Sequence, residues 1–135
     1  MKNVLTIIGI LFISFAAHAD FSTVAFGKWN GPCHQDGDHY FHEAIMFSES
    51  GRGALREEYF KNDTCSGIPS SVQEGIKAER GIIVYDELGQ QENGAYILKV
   101  TFINQKGRAP ETVSIKILEG GKQLQGPFGT YRRAD

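Results

Sequence analysis

The sequence has 135 residues, of which 14 are basic, 16 are acidic and 41% are hydrophobic, giving a formal net charge of -2. This length fits one domain that can bury its own core. The mild charge gives no electrostatic reason to expect nucleic acid or an anionic membrane as a partner.

The first nineteen residues have the pattern of a secretory signal peptide. Lys2 supplies the positive charge, Val4 to Ala16 form a short apolar core, and Ala17-His18-Ala19 is a small-x-small cleavage site. The core is shorter than the roughly 20 apolar residues of a membrane span, although an uncleaved anchor is the alternative. We therefore expect residues 1-19 to be removed on export to the periplasm or beyond. Residues 20-135 then form one mature domain, with 13 basic against 16 acidic residues and a net charge of -3.

The mature sequence reads as short strands separated by polar turns. Turns or loops are predicted over 32-38, 48-51, 61-70, 86-94, 104-110 and 120-121, where Gly, Pro, Asn, Asp and Ser are frequent. Strands are predicted over 23-29, 39-47, 53-60, 82-85, 95-103, 113-117, 123-125 and 128-133. Residues 71-79 fit either a short helix, because Ser71 to Glu74 match a capping box, or a strand, which their alternation favours.

Eight or nine short strands joined by short turns favour an antiparallel meander, since sequential strands are usually neighbours. A meander of this length can close on itself and remove its exposed edges. The predicted fold is therefore all-β, an up-and-down barrel of about eight strands.

Both cysteines, Cys33 and Cys65, lie in the mature part. In an oxidising compartment two cysteines most simply form one disulfide; an intermolecular bridge or two free thiols are the alternatives. Closing the loop would stabilise the fold by about 3-4 kcal/mol in the chain-entropy model. Because the chain has no Cys-x-x-Cys pair, we expect a structural bridge rather than a redox site.

Gly27-Lys28-Trp29 on the first mature strand resembles the Gly-x-Trp signature of the calycin superfamily, which comprises lipocalins, fatty-acid-binding proteins and avidins. In that superfamily the tryptophan closes one end of the barrel and packs against a basic residue of the last strand. The resemblance implies that Arg132 or Arg133 packs on Trp29, as a favourable cation-π contact. It also implies a barrel that binds a ligand.

The spacing from Gly27 to Cys65 is also similar to that of a group of small exported bacterial lipocalin-like domains, in which a tyrosine-containing strand precedes the second cysteine. Tyr59-Phe60-x-Asn62-Asp63-x-Cys65 carries that likeness here. The chain departs from lipocalins in lacking the helix that follows their barrel, and it shows no helical lid of the fatty-acid-binding type.

Metal binding and catalysis have little support in the sequence. His34, Asp36, Asp38, His39, His42 and Glu43 cluster within ten residues. However, His39 and His42 point to opposite faces of a strand. Nucleophile, phosphate-loop and zinc-protease motifs are missing. We expect no metal, no cofactor and no enzymatic activity.

Aromatic residues on the predicted strands are the better indication of function. If the barrel is wide, they line a cavity for a small apolar ligand; if it is narrow, they fill the core. The first hypothesis is a monomeric, non-catalytic binding protein, and the alternative is a packed barrel that binds a protein through its loops. The candidate lining residues are Tyr40, Phe47, Tyr59, Tyr85, Tyr96 and Phe102.

Overall fold

The computed structural model of the protein describes residues 20-70, 79-127 and 129-134. Within these residues the structure has a helical turn, α1 Phe21–Val24, followed by β-strands and a 3-10 turn at Glu119–Gly121. The strands are β1 Gly27–Asn30, β2 His34–Asp36, β3 His39–Phe47, β4 Arg52–Phe60, β5 Glu79–Gln90, β6 Tyr96–Phe102, β7 Glu111–Leu118, β8 Gln123–Gly126 and β9 Gly129–Arg133.

The strands form one antiparallel sheet in the order β1-β9-β8-β7-β6-β5-β4-β3-β2, and an additional β1-β3 pairing closes it. In that pairing Gly27 lies opposite Phe47 and Asn30 lies opposite Ala44. Eight strands therefore form a barrel, and β2 lies outside it, paired with the first residues of β3. The prediction of an all-β, up-and-down barrel is confirmed.

The predicted first strand over 23-29 is wrong in its first half. Residues Phe21–Val24 form the helical turn α1, and the carbonyl of Asp20 accepts hydrogen bonds from the amides of Thr23 and Val24. Phe21 is completely buried, so core packing stabilises a turn that is too short to be stable alone. The strand starts only at Gly27, whose φ of 115° is accessible to glycine at little cost.

Strand β3 has the predicted bounds, whereas β5 is longer than predicted. It continues through residues that were predicted to form a polar turn and ends at Gln90. A register shift between Glu87 and Gly89 accommodates the glycine. The short β2 lies within the predicted turn over 32-38, and the uncertain segment 71-78 lies outside the described residues.

Cys33 and Cys65 form the expected disulfide within one chain, with a Cα–Cα distance of 5.7 Å. Cys33 directly precedes β2, and Cys65 lies in the loop after β4. The bridge therefore fastens the strand outside the barrel to the β4-β5 connection. The disulfide is confirmed, and its presence is compatible with an exported protein.

Candidate binding site at the open end of the barrel

The two ends of the barrel differ in their connections. At the closed end the strands are joined by tight turns at 48-51, 91-95 and 119-122, and α1 packs across the barrel. At the open end the described connecting segments are longer: 31-38, 61-70 and 103-110. Long loops around a barrel mouth are a usual position for a binding site.

Arg133 and Trp29 meet at the closed end. The guanidinium carbon of Arg133 lies 4.2 Å from the centre of the Trp29 ring, and Trp29 is fully buried. The indole Nε1 donates a hydrogen bond of 2.9 Å to the carbonyl of Ala25. Gly27 lies under the same guanidinium, since a Cβ there would be 3.3 Å from an Arg133 nitrogen. Arg132 points away and pairs with exposed Glu119 at 3.1 Å.

Phe21 fills the closed end. Its ring centre lies 5.1 Å from that of Phe47, 5.5 Å from that of Tyr85 and 5.4 Å from that of Tyr96, in tilted and edge-on arrangements that aromatic pairs favour. Three of the predicted ligand-lining aromatics therefore contact a side chain of the protein itself. Sequence reasoning missed Phe21, because it lies in a four-residue turn with no helical period.

The barrel interior is almost full. Leu98 and Leu124 are completely or nearly completely buried, and the remaining cavity has a volume of about 40 Å³. A cavity of this size holds little more than a water molecule and cannot admit a fatty acid or a similar apolar ligand. Around the two leucines the inner strand faces contribute a continuous apolar core: Ile45, Phe47, Ile83, Tyr85, Tyr96, Val100, Phe102, Ile115 and Tyr131.

A recess of about 340 Å³ opens at the mouth of the barrel. Leu55 and Phe102 line both this recess and the small interior cavity, so they form the partition between the two. The recess thus has an apolar floor and a polar rim, the composition that small-molecule sites usually have. The other residues that line it are Glu43, Arg56, Glu57, Gly81, Gln105 and Arg108.

Arg108, in the loop between β6 and β7, lines one side of the recess. Its guanidinium carbon lies 3.6 Å from the centre of the Phe102 ring, and its nitrogens donate to Gln105 Oε1 at 2.8 Å and to Glu111 Oε1 at 3.2 Å. The arginine therefore shields one face of the phenyl ring while keeping its charge at the surface.

Glutamates form the strand side of the recess. Tyr131 donates a hydrogen bond of 3.1 Å to Glu43 Oε2, and Tyr59 donates one of 2.6 Å to Glu57 Oε2. Burial, together with the nearby Glu43 carboxylate, raises the pKa of the Tyr131 phenol to about 12. The phenol therefore stays protonated at neutral pH and keeps one Glu43 oxygen oriented at the rim.

A second groove, of about 560 Å³, shares Glu43 with the recess. Three rings follow one another across β2, β3 and β4: His34 lies 5.5 Å from Phe41, and Phe41 lies 5.8 Å from Tyr59. His34 and Phe41 line this groove, so its aromatic surface extends from β3 onto β2, the strand outside the barrel.

The predicted lining residues are not all brought together. Phe47, Tyr85, Tyr96 and Phe102 are buried in the core, and of these only Phe102 reaches the recess. Tyr59 lies near the mouth through its bond to Glu57. Tyr40 is placed by strand alternation on the outer face of β3, the face that also carries His42 and Ala44. It therefore does not line the interior.

A buried charged cluster lies on the outer face of β1, β3 and β4. Glu58 Oε1 accepts hydrogen bonds from Lys28 Nζ at 2.6 Å and from His42 Nε2 at 2.7 Å. Burial raises the pKa of the Glu58 carboxyl, but these two partners outweigh it and lower the pKa from 4.5 to about 2. The three side chains are far apart in sequence, and only strand pairing could reveal their contact.

In the part of the chain that the structure describes, no group of three or more His, Cys, Asp or Glu side chains is arranged to hold a metal ion. The cluster of acidic and histidine residues between His34 and Glu43 is split between β2, the turn and both faces of β3. Among the same described residues, no helix is long and apolar enough to cross a membrane.

A scan against protein-family models, a search of curated proteins and a search of solved structures found no match. The fold defines the class of protein: a disulfide-bonded, eight-stranded antiparallel barrel, consistent with a calycin-like barrel. No family beyond that class is shown.

Proposed function

We propose that the protein is an exported, non-catalytic binding module that takes a small amphipathic ligand in the recess at its open end. One contrast carries the proposal: the recess has about 340 Å³, whereas the interior cavity has about 40 Å³. Ligand pockets in proteins usually have volumes of 300-1,000 Å³, so the recess has a suitable size and the interior cavity does not.

The chemistry of the recess supports a ligand with one apolar part and one polar part. The apolar part would lie on Leu55 and Phe102, and the polar part would meet Glu43 and Arg108 at the rim. The rim carries both a negative and a positive group, so hydrogen-bonding capacity rather than net charge would select the ligand. A small apolar ligand deep inside the barrel, the first sequence hypothesis, has too little room.

The absence of catalysis is part of the same proposal. The Glu58 carboxylate, whose pKa is well below its usual range, is buried on the outer face between Lys28 and His42. It lies on the opposite face of β4 from the recess-lining Leu55 and Glu57. Tyr131 is protonated and hydrogen-bonded, which favours a fixed support over a proton donor.

The second candidate function is binding of a protein partner across the mouth. The groove of about 560 Å³ beside the recess favours it. The rings of His34 on β2 and Phe41 on β3 line this groove. Aromatic side chains are frequent at protein interfaces, because one residue supplies a large and rigid contact area.

A titration followed by amide chemical shifts tests the proposal. We would add fatty acids, haem, apolar fluorescent probes and small amphipathic acids and amines to the mature protein. Saturable shifts centred on residues 43, 55-57, 102 and 105-108 support it. No saturable binding by any compound, or shifts confined to the groove with a protein partner from envelope extract, would contradict it.

Two variants localise the binding. Leu55→Phe fills the recess and should weaken binding by about tenfold or more, which corresponds to about 1.4 kcal/mol. Glu43→Gln removes a rim charge and should weaken binding of any compound with a donor group. Glu49→Gln is the matched control, because Glu49 is exposed in the turn at the closed end.

A further inference from the structure

Glu87 on β5 carries an unusual carboxylate at the closed end. Its Oε2 accepts a hydrogen bond of 3.0 Å from the backbone amide of Phe21. Its Oε1 is buried and has no hydrogen-bond partner. A buried carboxylate oxygen without a partner is costly, because it has lost water and gained nothing in return.

The charged and titratable groups near Glu87 do not neutralise the negative charge of its carboxylate. Tyr85 and Tyr96 are close enough that, after their own burial, the Glu87 charge raises the pKa of each phenol. Asp20 adds a second negative charge near Tyr96. Arg133, at the same end, donates to the carbonyls of Val24, Phe26 and Gly121. Among the described residues no cationic side chain forms an ion pair with Glu87.

Asp20 is the predicted first residue of the mature chain, so its backbone nitrogen would carry a positive charge after cleavage. Asp20 directly follows Ala19, the last residue of the predicted cleavage site, and directly precedes the residue that already binds Glu87. One residue spans at most about 3.5 Å of chain. The backbone nitrogen of Asp20 is therefore within one residue's length of the nitrogen that contacts Oε2.

We propose that Glu87 is a preformed binding site for the α-ammonium group of the mature N-terminus at Asp20. A signal peptidase hydrolyses the Ala19–Asp20 bond: water supplies the oxygen of the new Ala19 carboxylate, and the Asp20 nitrogen takes up protons. A neutral amide with one N–H becomes an ammonium with three donors and a positive charge. That group pairs with Glu87 Oε1 while Phe21 keeps Oε2.

The pairing ties processing to the closed end of the barrel. It fixes the first residue of the mature chain, and with it the turn that places Phe21 among Phe47, Tyr85 and Tyr96. A chain that still carries even one residue before Asp20 has no charge at this position. This site is at the opposite end from the recess, so it is independent of the proposed ligand binding.

Four chains test the proposal. We would compare the mature protein with a version that carries one extra glycine before Asp20, each with Glu87 and with Glu87→Gln. With Glu87 present, the glycine should lower the melting temperature by about 4 °C. In the Glu87→Gln background the same glycine should have no measurable effect. An equal effect in both backgrounds, or none in either, would overturn the proposal.

Two further measurements keep the test decisive if Glu87→Gln does not fold. The intact mass of the exported protein must equal that of a chain that begins at Asp20. A mass that corresponds to any other first residue would overturn the proposal. The α-amino group of the folded mature chain should also react with an amine-selective reagent at least about tenfold more slowly than that of the glycine-extended chain. Equal rates would overturn it. Asp86→Asn, on the exposed neighbour of Glu87, is the matched control and should change neither rate nor melting temperature.

Discussion

Arg133 lies on the face of the Trp29 ring at a distance of 4.2 Å and, at the same time, donates hydrogen bonds to three backbone carbonyls. The carbonyls belong to Val24, Phe26 and Gly121, so one side chain joins the segment before β1, the β7-β8 turn and the last strand. The Gly-x-Trp motif is thus part of a clamp that closes the barrel end opposite the recess.

Replacing Arg133 by alanine should destabilise the protein by about 2-4 kcal/mol, because three charge-assisted bonds and a cation-π contact are lost together. Chemical denaturation followed by Trp29 fluorescence measures this directly. Arg132→Ala is the control: its pair with Glu119 is exposed, and such pairs contribute about 0-1 kcal/mol. Equal losses in the two variants would contradict the clamp.

The disulfide gives a second stability prediction. The double variant Cys33→Ser, Cys65→Ser should lower the free energy of unfolding by about 3-4 kcal/mol, since the bridge closes a loop between residues 32 apart. Changing both residues avoids a lone thiol. Thermal melting under oxidising conditions measures the effect, and a melting temperature equal to that of the wild type would show that the bridge does not stabilise the fold.

Glu58 should make the protein sensitive to acid. Its folded-state pKa of about 2 lies below the ordinary value of 4.5, so its ionised form stabilises the fold fully above about pH 5. That contribution is lost as the pH falls toward 2. Glu58→Gln should cost about 2 kcal/mol at neutral pH and flatten the stability curve in this range. Glu49 is exposed, so Glu49→Gln should leave the dependence of stability on pH unchanged. If the curve of Glu58→Gln runs parallel to that of the wild type between about pH 5 and pH 2, the ionised Glu58 carboxylate does not stabilise the fold.

Much of the fold follows from local sequence pattern, and the exceptions have identifiable causes. Strand β3 combines alternation with aromatic residues, and the glycine-containing turn after it fixes the hairpin with β4. The sequence predicts a strand β5 that is too short, because Asp86, Glu87 and Gly89 are typical of turns, whereas in the structure a register shift accommodates them. Helix α1 could not be predicted, since its stability comes from the burial of Phe21.

The recess was beyond sequence reasoning for a different reason. Glu43, Leu55 and Phe102 come from β3, β4 and β6, Arg108 comes from a loop, and only the curling of the sheet into a barrel brings them together. The sequence pattern instead favours the aromatic residues of the strands as candidates for the binding site. Most of them fill the core, where the number of strands and the size of the side chains leave little space.

Tyr131 links the core to the rim and can be followed by its own titration. Its pKa of about 12 lies above the ordinary value of 10, so the protonated phenol stabilises the fold up to about pH 10, and this contribution is lost as the pH rises toward 12. Phenolate absorbance should include a component from Tyr131 that titrates near pH 12. Glu43→Gln should lower that pKa, because it removes the nearby charge, and an unchanged late titration would contradict the contact.

The position of a bound ligand tests the central claim most directly. We would measure intermolecular nuclear Overhauser effects between the best ligand of the panel and isotope-labelled protein. We expect cross-peaks to Leu55 and Phe102, at the floor of the recess, and none to Leu98 or Leu124 in the filled interior. Cross-peaks to these two leucines would show that the barrel opens to hold its ligand inside and would contradict the account.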